Sequence, residues 1–345
     1  MITLQNIPGR TTIIDGKEYL FFSGYSYLGL GMLPEFTNLV KQGIDLYGVV
    51  YPSSRISNTQ LDFYAKMEEQ LAAFTRTEDA VCVSSGFLSA RTSVEVVAEE
   101  MTVYAMHRTH PASSAMTGIK TIPAAQSWKE FLQERAAANE YRFAVVADSI
   151  YIPLGSINDF SFVKNTPTDF NITFIIDDSH GIGWLGQEGR GIGSLLQLPA
   201  NIELLLNFSL SKSFHMNGGA VCGSRKWINI VRQHANYAAS TPFMPSLAYA
   251  FTQAQEFIQQ QRASLLQNIE YLQKLTANHT FVSNEGTPVF VVAQKGIAQH
   301  LLQNNTIISS FGYPHPEDNP VNRVVVNALH TKSDFEKLVQ LLETS

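Results

Sequence analysis

The chain has 345 residues, of which 45% are hydrophobic and 16% are charged, and its formal net charge is -6. This composition is sufficient for a packed core and excludes a disordered chain. Because the balance is acidic and no Lys/Arg block is present, we expect no nucleic-acid partner. The two cysteines, Cys82 and Cys222, lie in apolar runs, and they are too few for a disulfide framework or a structural zinc site, so we predict no metal.

The sequence carries neither a secretion signal nor a membrane span that can be recognised. Its first residues lack a basic flank followed by an apolar stretch, and no uninterrupted apolar run approaches ~18 residues. We therefore expect a cytoplasmic protein without a membrane partner.

The first part of the chain predicts a hairpin and two helices. The pair Asp15-Gly16 separates two short apolar runs within residues 12–22, which is typical of a type I′ hairpin turn. Apolar residues at helical spacing predict helices over 34–47 and 63–74, with a polar loop between them.

The middle of the chain alternates apolar strands with helical stretches. This alternation predicts an α/β fold with a mostly parallel sheet covered by helices on both faces. Such a sheet binds its ligand at the carboxyl ends of the strands. The predicted strands cover residues 80–83, 101–106, 143–147, 174–176 and 202–208.

The last part of the chain predicts a connecting helix and a smaller α+β lobe. We divide the chain into an N-terminal arm with the hairpin (1–30), a large domain (31–250), and a connecting helix with a small C-terminal domain (251–345). The elements predicted after the large domain are one long helix over 247–275, strands at 288–293 and 323–326, and a helix at 333–342.

Polar groups follow two of the predicted strands. Asp177 and His180 come after the strand at 174–176, and Lys212 comes after the strand at 202–208. Since the carboxyl ends of neighbouring parallel strands meet at one sheet edge, these groups would form a single site. A lysine in an apolar site reacts readily with aldehydes, so the set could hold an aldehyde cofactor.

A phosphate site is predicted at the start of the helix that follows residue 85. The segment SSGF places a small-residue turn directly between a strand and a helical pattern. The backbone amides of Ser85, Gly86 and Phe87 could there bind a phosphate without any cation.

The segment DDSHGIGWLGQEGRG, residues 177–191, resembles the D-D-A-H-G-x-G-x-x-G-x-x-G-R-G signature of the α-oxoamine synthases. The resemblance extends over most of the chain from about residue 12. It implies a fold type I pyridoxal-phosphate (PLP) transferase, with PLP in the large domain and a homodimer. The other matching segments, in family order, are YLGL, SSRIS, SSGF, HRTHPAS, SLSKSF, YAASTP and RVVVNALHT.

The resemblance implies catalytic roles for four residues. Lys212 would hold PLP as an imine, Asp177 would pair with the pyridine nitrogen, and His180 would reach the phenolic oxygen. His110 would stack on the ring, with His107 as the competing choice. Asp178 would cap the loop that follows.

Further roles concern the phosphate and the substrates. The hydroxyls of Ser209 and Ser211 would join the helix amides at the phosphate, and Thr241 would reach the partner subunit's phosphate or merely cap a helix. Arg323 would bind the amino acid's α-carboxylate, and Arg55 would line the acyl channel.

The implied reaction condenses an amino acid with an acyl-CoA thioester to give an aminoketone. Two segments depart from the family pattern. Ile152 replaces a serine that contacts the cofactor's phenolic oxygen, and Tyr51 lies where the family has glycines near the substrate entrance. The helix that precedes the hairpin in most members is also absent, so we expect a more open entrance.

These departures leave two further hypotheses open. The first is a PLP-dependent aminotransferase or another amino-acid-converting enzyme. The second is a non-catalytic, cofactor-binding subunit of a heterodimer, against which the retention of Lys212 argues, because such a subunit needs no imine-forming lysine.

Overall fold

The structure is a computed structural model that describes residues 2–312, 315 and 317–344. The predicted N-terminal arm begins at Met1, and the predicted small domain ends at Ser345. Both of these residues lie outside the described part of the chain. The three-part division of the chain stays a prediction.

The strands and helices follow one another in the order expected for an α/β protein. The strands are β1 Thr11–Ile14, β2 Lys17–Phe22, β3 Asp79–Val83, β4 Val103–Ala105, β5 Lys120–Thr121, β6 Arg142–Asp148, β7 Ile150–Tyr151, β8 Ser156–Ile157, β9 Asn171–Asp177, β10 Ile202–Ser209, β11 Gly219–Gly223, β12 Val282–Ser283, β13 Val289–Val292, β14 Thr306–Gly312 and β15 Pro320–Val325. The helices are α1 Pro34–Tyr47, α2 Asp62–Thr75, α3 Gly86–Ala98, α4 Pro111–Ser114, α5 Trp128–Ala137, α6 Arg225–Gln233, α7 Ala235–Ala238, α8 Pro245–Gln253, α9 Gln255–Thr276, α10 Ile297–Gln303 and α11 Lys332–Glu343.

The larger sheet has seven strands in the order β3-β11-β10-β9-β6-β4-β5. Strand β11 is antiparallel to both of its neighbours, and the strands from β10 to β5 are parallel. The predicted mostly parallel sheet is therefore confirmed. Both faces are buried: Val146 and Ile175 pack with Trp227 on one face, and Phe174 packs with Phe208 on the other. This double burial explains why the strands are apolar without alternation.

The N-terminal hairpin has the predicted turn. Asp15 and Gly16 have φ angles of 48° and 75°, and Ile14 pairs with Lys17 across them. Both angles are positive, as a type I′ turn requires. Strand β2 then runs parallel to β14, so the hairpin belongs to a second sheet with the order β1-β2-β14-β15-β13-β12. The N-terminal hairpin thus hydrogen-bonds to a strand of the predicted C-terminal domain.

The prediction of one continuous helix over 247–275 is wrong. The helix breaks at Ala254, between α8 and α9, where φ and ψ are -93° and 6°. The Ala254 amide donates to the Phe251 carbonyl at 3.1 Å, a three-residue bond that closes α8 before α9 begins. Ala254 is wholly buried. Helix α8 packs on α1 and α2, whereas α9 packs on α11, so the two helices have different packing partners.

No helix formed by the described residues is both long and apolar enough to cross a membrane.

Candidate active site

The two polar strand ends are joined by hydrogen bonds. Asp177 ends β9, and its Oδ1 accepts from the Ser179 amide at 2.9 Å. The Ser179 hydroxyl in turn accepts from the Ser209 amide of β10 at 2.8 Å. These bonds fix the loop after β9 against the strand that leads to Lys212.

Lys212 is the first member of a hydrogen-bonded chain. Its Nζ lies 2.8 Å from His180 Nε2, and His180 Nδ1 lies 2.8 Å from the Tyr27 hydroxyl. The Tyr25 ring packs edge-on against the His180 ring, with the centroids 4.8 Å apart. Burial lowers the pKa of His180 well below its usual value and raises the pKa of Tyr27 well above its own. The imidazole and the phenol are therefore both neutral at pH 7.

Burial also lowers the pKa of Lys212, against the opposing charges of Asp177 and Asp148. An amine must be neutral to attack an aldehyde, and desolvation increases the neutral fraction. Lys212 therefore has the environment of a reactive lysine.

A cavity of about 410 Å³ brings most of the predicted site residues together. His110 lines this cavity, whereas His107 does not. The predicted residues that line it are Gly86, Phe87, His110, Asp177, His180, Ser209, Lys212 and Arg323. Its other walls are Tyr25, Arg108, Ala112, Asp148, Ile150, Tyr151, Ile152, Pro153, Ser179 and Phe311.

His110 is held by its own loop. Its Nδ1 accepts from the Ala112 amide at 3.1 Å, which caps α4, and its backbone amide donates to Asp148 Oδ2 at 3.0 Å. Burial lowers the pKa of His110, and the Asp177 charge partly opposes this effect. A neutral ring at this position can lie against an aromatic ligand.

The start of α3 forms another corner of the cavity. Ser85 is the N-cap, and its hydroxyl accepts from the Leu88 amide at 3.1 Å. A Cβ on Gly86 would lie 2.4 Å from Ser209 Cβ, so only glycine permits α3 to start this close to β10. The Ser209 and Ser211 hydroxyls are 2.7 Å apart. A helix N-terminus beside hydroxyl groups is an anion site of the kind a phosphate occupies.

Arg323 is a buried cation that forms no ion pair with any of the described residues. The side chain is 1% exposed, and its Nη1 donates to the Ile152 carbonyl at 3.4 Å. The guanidinium carbon lies 4.4 Å from the centre of the Phe311 ring. Nε and Nη2 are buried and have no hydrogen-bond partner in the described part of the chain. Since unpaired buried donors are unfavourable, this geometry is suited to a carboxylate ligand.

Four other predicted positions do not line the cavity, namely Ser85, Arg55, Ser211 and Thr241. Arg55 forms a buried ion pair with Glu68 at 3.0 Å and lies over the rings of Tyr64 and Tyr237. Ser211 and Thr241 are exposed. The substrate role of Arg55 and the role of Thr241 across a dimer stay predictions. Tyr51 donates to the Thr59 carbonyl at 2.7 Å and does not line the cavity.

Asp178 holds the glycine-rich loop. Its Oδ2 accepts from the Ile192 amide at 2.9 Å, and burial raises its pKa to about 7. A Cβ on Gly181 or Gly191 would come within 2.1 Å or 1.8 Å of a carboxylate oxygen. The loop therefore wraps around Asp178, which matches the predicted capping role.

Sequence reasoning missed two residues of the site, Tyr27 and Asp148. Tyr27 lies in a segment that carried the resemblance, but no role was assigned to it. Asp148 comes at the end of an apolar strand, as Asp177 does. This shared position could have identified Asp148 as a site residue from the sequence. The described residues contain no group of three or more His, Cys, Asp or Glu side chains that could hold a metal ion.

Comparison with known proteins matches residues 20–342 to the family Aminotransferase class I and II. The chain is 26% identical over 361 residues to an 8-amino-7-oxononanoate synthase of Thermosipho melanesiensis, covering 99% of this chain and 92% of that protein. Its fold is similar to serine palmitoyltransferase from S. paucimobilis, solved with bound PLP–myriocin aldimine (TM-score 0.86, 18% identity, coverage 100% and 92%). It is also similar to the 8-amino-7-oxononanoate synthase of Francisella tularensis (TM-score 0.73, 21% identity, coverage 94% and 97%).

Proposed function

The chain belongs to the aminotransferase class I and II family, and we propose that it is a PLP-dependent acyltransferase that condenses an amino acid with an acyl thioester. The expected resemblance to the α-oxoamine synthases and the fold type I architecture are confirmed. The names of the similar proteins denote acyl transfer to serine and formation of an aminoketone, which supports the same reaction class here.

One observation carries the proposal. A desolvated lysine, Lys212, and a buried guanidinium without a counterion, Arg323, line the same cavity of about 410 Å³. A site that binds an amino acid at both ends needs a cation for the carboxylate and, for chemistry at the nitrogen, a lysine that can hold an aldehyde cofactor. Arg323 and Lys212 meet these two needs. No carboxylate of the described residues forms an ion pair with Arg323, so a substrate carboxylate can bind there.

The residues present fit PLP. Lys212 would hold the aldehyde carbon, Asp177 would pair with the ring nitrogen, and His110 would lie on the ring face. The start of α3 and Ser209 would bind the phosphate. When bound, PLP supplies an electron sink that favours loss of a proton or of CO₂ from the amino acid's α-carbon.

The chain's own groups then have defined tasks. Arg323 would orient the amino acid by its carboxylate, and Lys212 Nζ would take the α-proton as general base. The contact at 2.8 Å with His180, which Tyr27 holds in turn, fixes the position of Nζ. A bond would then form between the α-carbon and the acyl carbonyl carbon as the thioester C–S bond breaks and the thiol leaves. The bond between the α-carbon and the carboxylate would next break with loss of CO₂, and a proton would return to the α-carbon to give the aminoketone.

The acyl donor and the assembly are finer parts of the proposal. We propose acyl-CoA as the thioester and a homodimer as the functional state, in which Thr241 of one subunit would reach the other subunit's phosphate. Thr241 is exposed in the single chain, as such a role requires. A cytoplasmic location stays a prediction.

The test begins with the cofactor. Purified protein mixed with PLP should develop a visible absorbance band that Lys212→Ala abolishes and Lys164→Ala, which removes an exposed lysine, retains. If the unchanged protein develops no such band, the proposal is wrong.

The second stage separates the reactions. Amino acids are added with and without acyl-CoA, and free thiol and keto acid are measured. Thiol release that requires both substrates supports the acyltransferase. Keto-acid formation without a thioester response would instead identify an aminotransferase, and a PLP-loaded protein without turnover would identify a non-catalytic subunit.

A further inference from the structure

Three neighbouring strands of the large sheet end in polar residues that lie side by side. Asp148 of β6 pairs in register with Asp177 of β9, and Asp177 pairs with Asn207 of β10. Register partners on parallel strands are about 4.8 Å apart and point to the same face. That face is the one toward α3, because Val146, Ile175 and Leu205, two residues earlier in each strand, pack there. Asp177 is thus flanked by an acid and an amide.

Asp148 uses only one of its two oxygens. Oδ2 accepts from the His110 amide at 3.0 Å, whereas Oδ1 is buried and has no hydrogen-bond partner among the described residues. On the neighbouring strand, Asp177 Oδ1 accepts from the Ser179 amide. Asp148, with one unpaired oxygen, is therefore the register neighbour of a carboxylate that already has one donor and can accept another.

Two ionised carboxylates at this separation in a buried site repel each other, so one of them retains a proton. Burial, and next the charge of Asp177, raise the pKa of Asp148 well above its usual value. The His110 amide and the charge of Lys212 act in the opposite direction with smaller effect. The charged and titratable groups that act on Asp148 are thus Asp177 from β9, Lys212 from the loop after β10, and His110 from the start of α4.

We propose that Asp148 is a positioning residue, which stays protonated at neutral pH, donates that proton to Asp177 and holds the His110 backbone with its other oxygen. In this arrangement the floor of the cavity carries one negative charge. Asp148 fixes the orientation of the Asp177 carboxylate. The consequence for the ring nitrogen of PLP rests on the proposed function, whereas the proton on Asp148 does not.

The test compares two substitutions of similar size. Asp148→Asn mimics the protonated acid, because its amide oxygen can accept from His110 and its NH₂ can donate to Asp177. Asp148→Leu removes both interactions. Asp169→Asn, at an exposed aspartate, is the matched control for the same chemical change.

The first readout is urea unfolding of the cofactor-free protein against pH. A carboxyl whose folded pKa is raised contributes stability below the unfolded pKa of about 3.9 and loses it as pH rises through the folded pKa. The unfolding midpoint of Asp148→Asn should therefore rise relative to the unchanged protein as pH increases above about 4. A midpoint difference that is the same at every pH, as expected for Asp169→Asn, would overturn the proposal.

The second readout is the PLP dissociation constant, measured by absorbance. Asp148→Asn should bind PLP within about threefold of the unchanged protein, and Asp148→Leu roughly tenfold or more weakly, because a hydrogen bond to a charged group is lost. Equal weakening by both variants would show that the negative charge of Asp148 is needed, and the inference would be wrong. If the unchanged protein binds no PLP, the proposed function fails, while the urea experiment still decides the protonation of Asp148.

Discussion

At the scale of single residues, burial affects the groups of the site in two ways. It favours the neutral forms of His180 and Lys212, whereas Arg323 is buried as a cation without an ion-pair partner among the described residues. His180 lies between Lys212 and Tyr27. Because burial lowers its pKa, the imidazole is neutral and places no positive charge beside the lysine amine. Which ring nitrogen of His180 carries the proton follows from Tyr27: a phenol that donates to Nδ1 leaves the proton on Nε2, facing the Lys212 amine. The lysine can then be neutral and oriented at the same time.

Arg323, in contrast, is buried in its charged form, and this state can be tested by substitution. Arg323→Met should leave the free energy of unfolding unchanged or raise it by about 1 kcal/mol or more, because a buried charge without a counterion is replaced by an apolar side chain of similar length. The same substitution should abolish the spectral response of the PLP-loaded protein to amino acids. Urea unfolding and absorbance titration measure the two effects.

The matched control is Arg232→Met. Arg232 pairs through Nη2 with Asp79 Oδ1 at 2.9 Å, so its loss should lower the unfolding free energy by about 1–3 kcal/mol by leaving Asp79 without its partner. Equal destabilisation by Arg323→Met and Arg232→Met would mean that the protein itself satisfies Arg323. The assignment of this arginine to a substrate carboxylate would then be untenable.

At the scale of elements, the glycine-rich loop is explained by Asp178. Gly191 has a φ of 77°, and its Cβ would meet Asp178 Oδ2 at 1.8 Å. Gly191→Ala should therefore lower the unfolding free energy by more than the roughly 1–2 kcal/mol that a left-handed backbone angle alone costs an alanine. Gly286→Ala separates the two causes, since Gly286 has a φ of 79° but no atom within 4 Å of its Cβ. Chemical denaturation of both variants provides the comparison, and equal losses would refute the packing explanation.

Local patterns predicted the elements well where one period dominated. The hairpin at Asp15-Gly16, the strand before Asp177 and the helix after Ser85 were all predicted, because turn chemistry and apolar runs specify them locally. The break at Ala254 was not predicted, since alanine favours helix and only the different packing partners of α8 and α9 produce it. The parallel pairing of β2 with β14 also escaped prediction, because it joins residues far apart in sequence.

The same distinction holds for the site. Lys212, Asp177 and His180, which line one cavity, were predicted to lie together because motif and strand end coincide. Asp148 became a site residue only when the register of β6 and β9 placed it beside Asp177. Arg55, by contrast, carried a motif but is paired with Glu68 away from the cavity. Sequence position alone could not distinguish an arginine that has a protein partner from one that does not.

At the scale of the whole molecule, the short hairpin β7-β8 connects the cavity to the second sheet. The Thr287 hydroxyl, just before β13, donates to the Gly155 carbonyl in the hairpin turn at 2.8 Å. A Cβ on Gly155 would lie 2.9 Å from Val289, so the two segments are in close contact. Ile152 in the same turn accepts from Arg323 of β15 and lines the cavity. The position of Arg323 thus depends on contact between the β7-β8 hairpin and the second sheet.

Thr287→Val tests this connection. The substitution keeps the shape of a wholly buried side chain but leaves the Gly155 carbonyl without its donor, so the unfolding free energy should fall by about 1–2 kcal/mol. Because the turn that holds Arg323 is then less fixed, the amino-acid concentration that half-saturates the PLP-loaded protein should rise by roughly threefold to tenfold. Thr306→Val is the control: Thr306 is equally buried, but its hydroxyl bonds to Asn304 beside its own strand. Both variants can lose stability, yet only Thr287→Val should weaken amino-acid binding. If Thr306→Val weakens it to the same degree, substrate affinity follows overall stability, and the hairpin has no specific part in positioning Arg323.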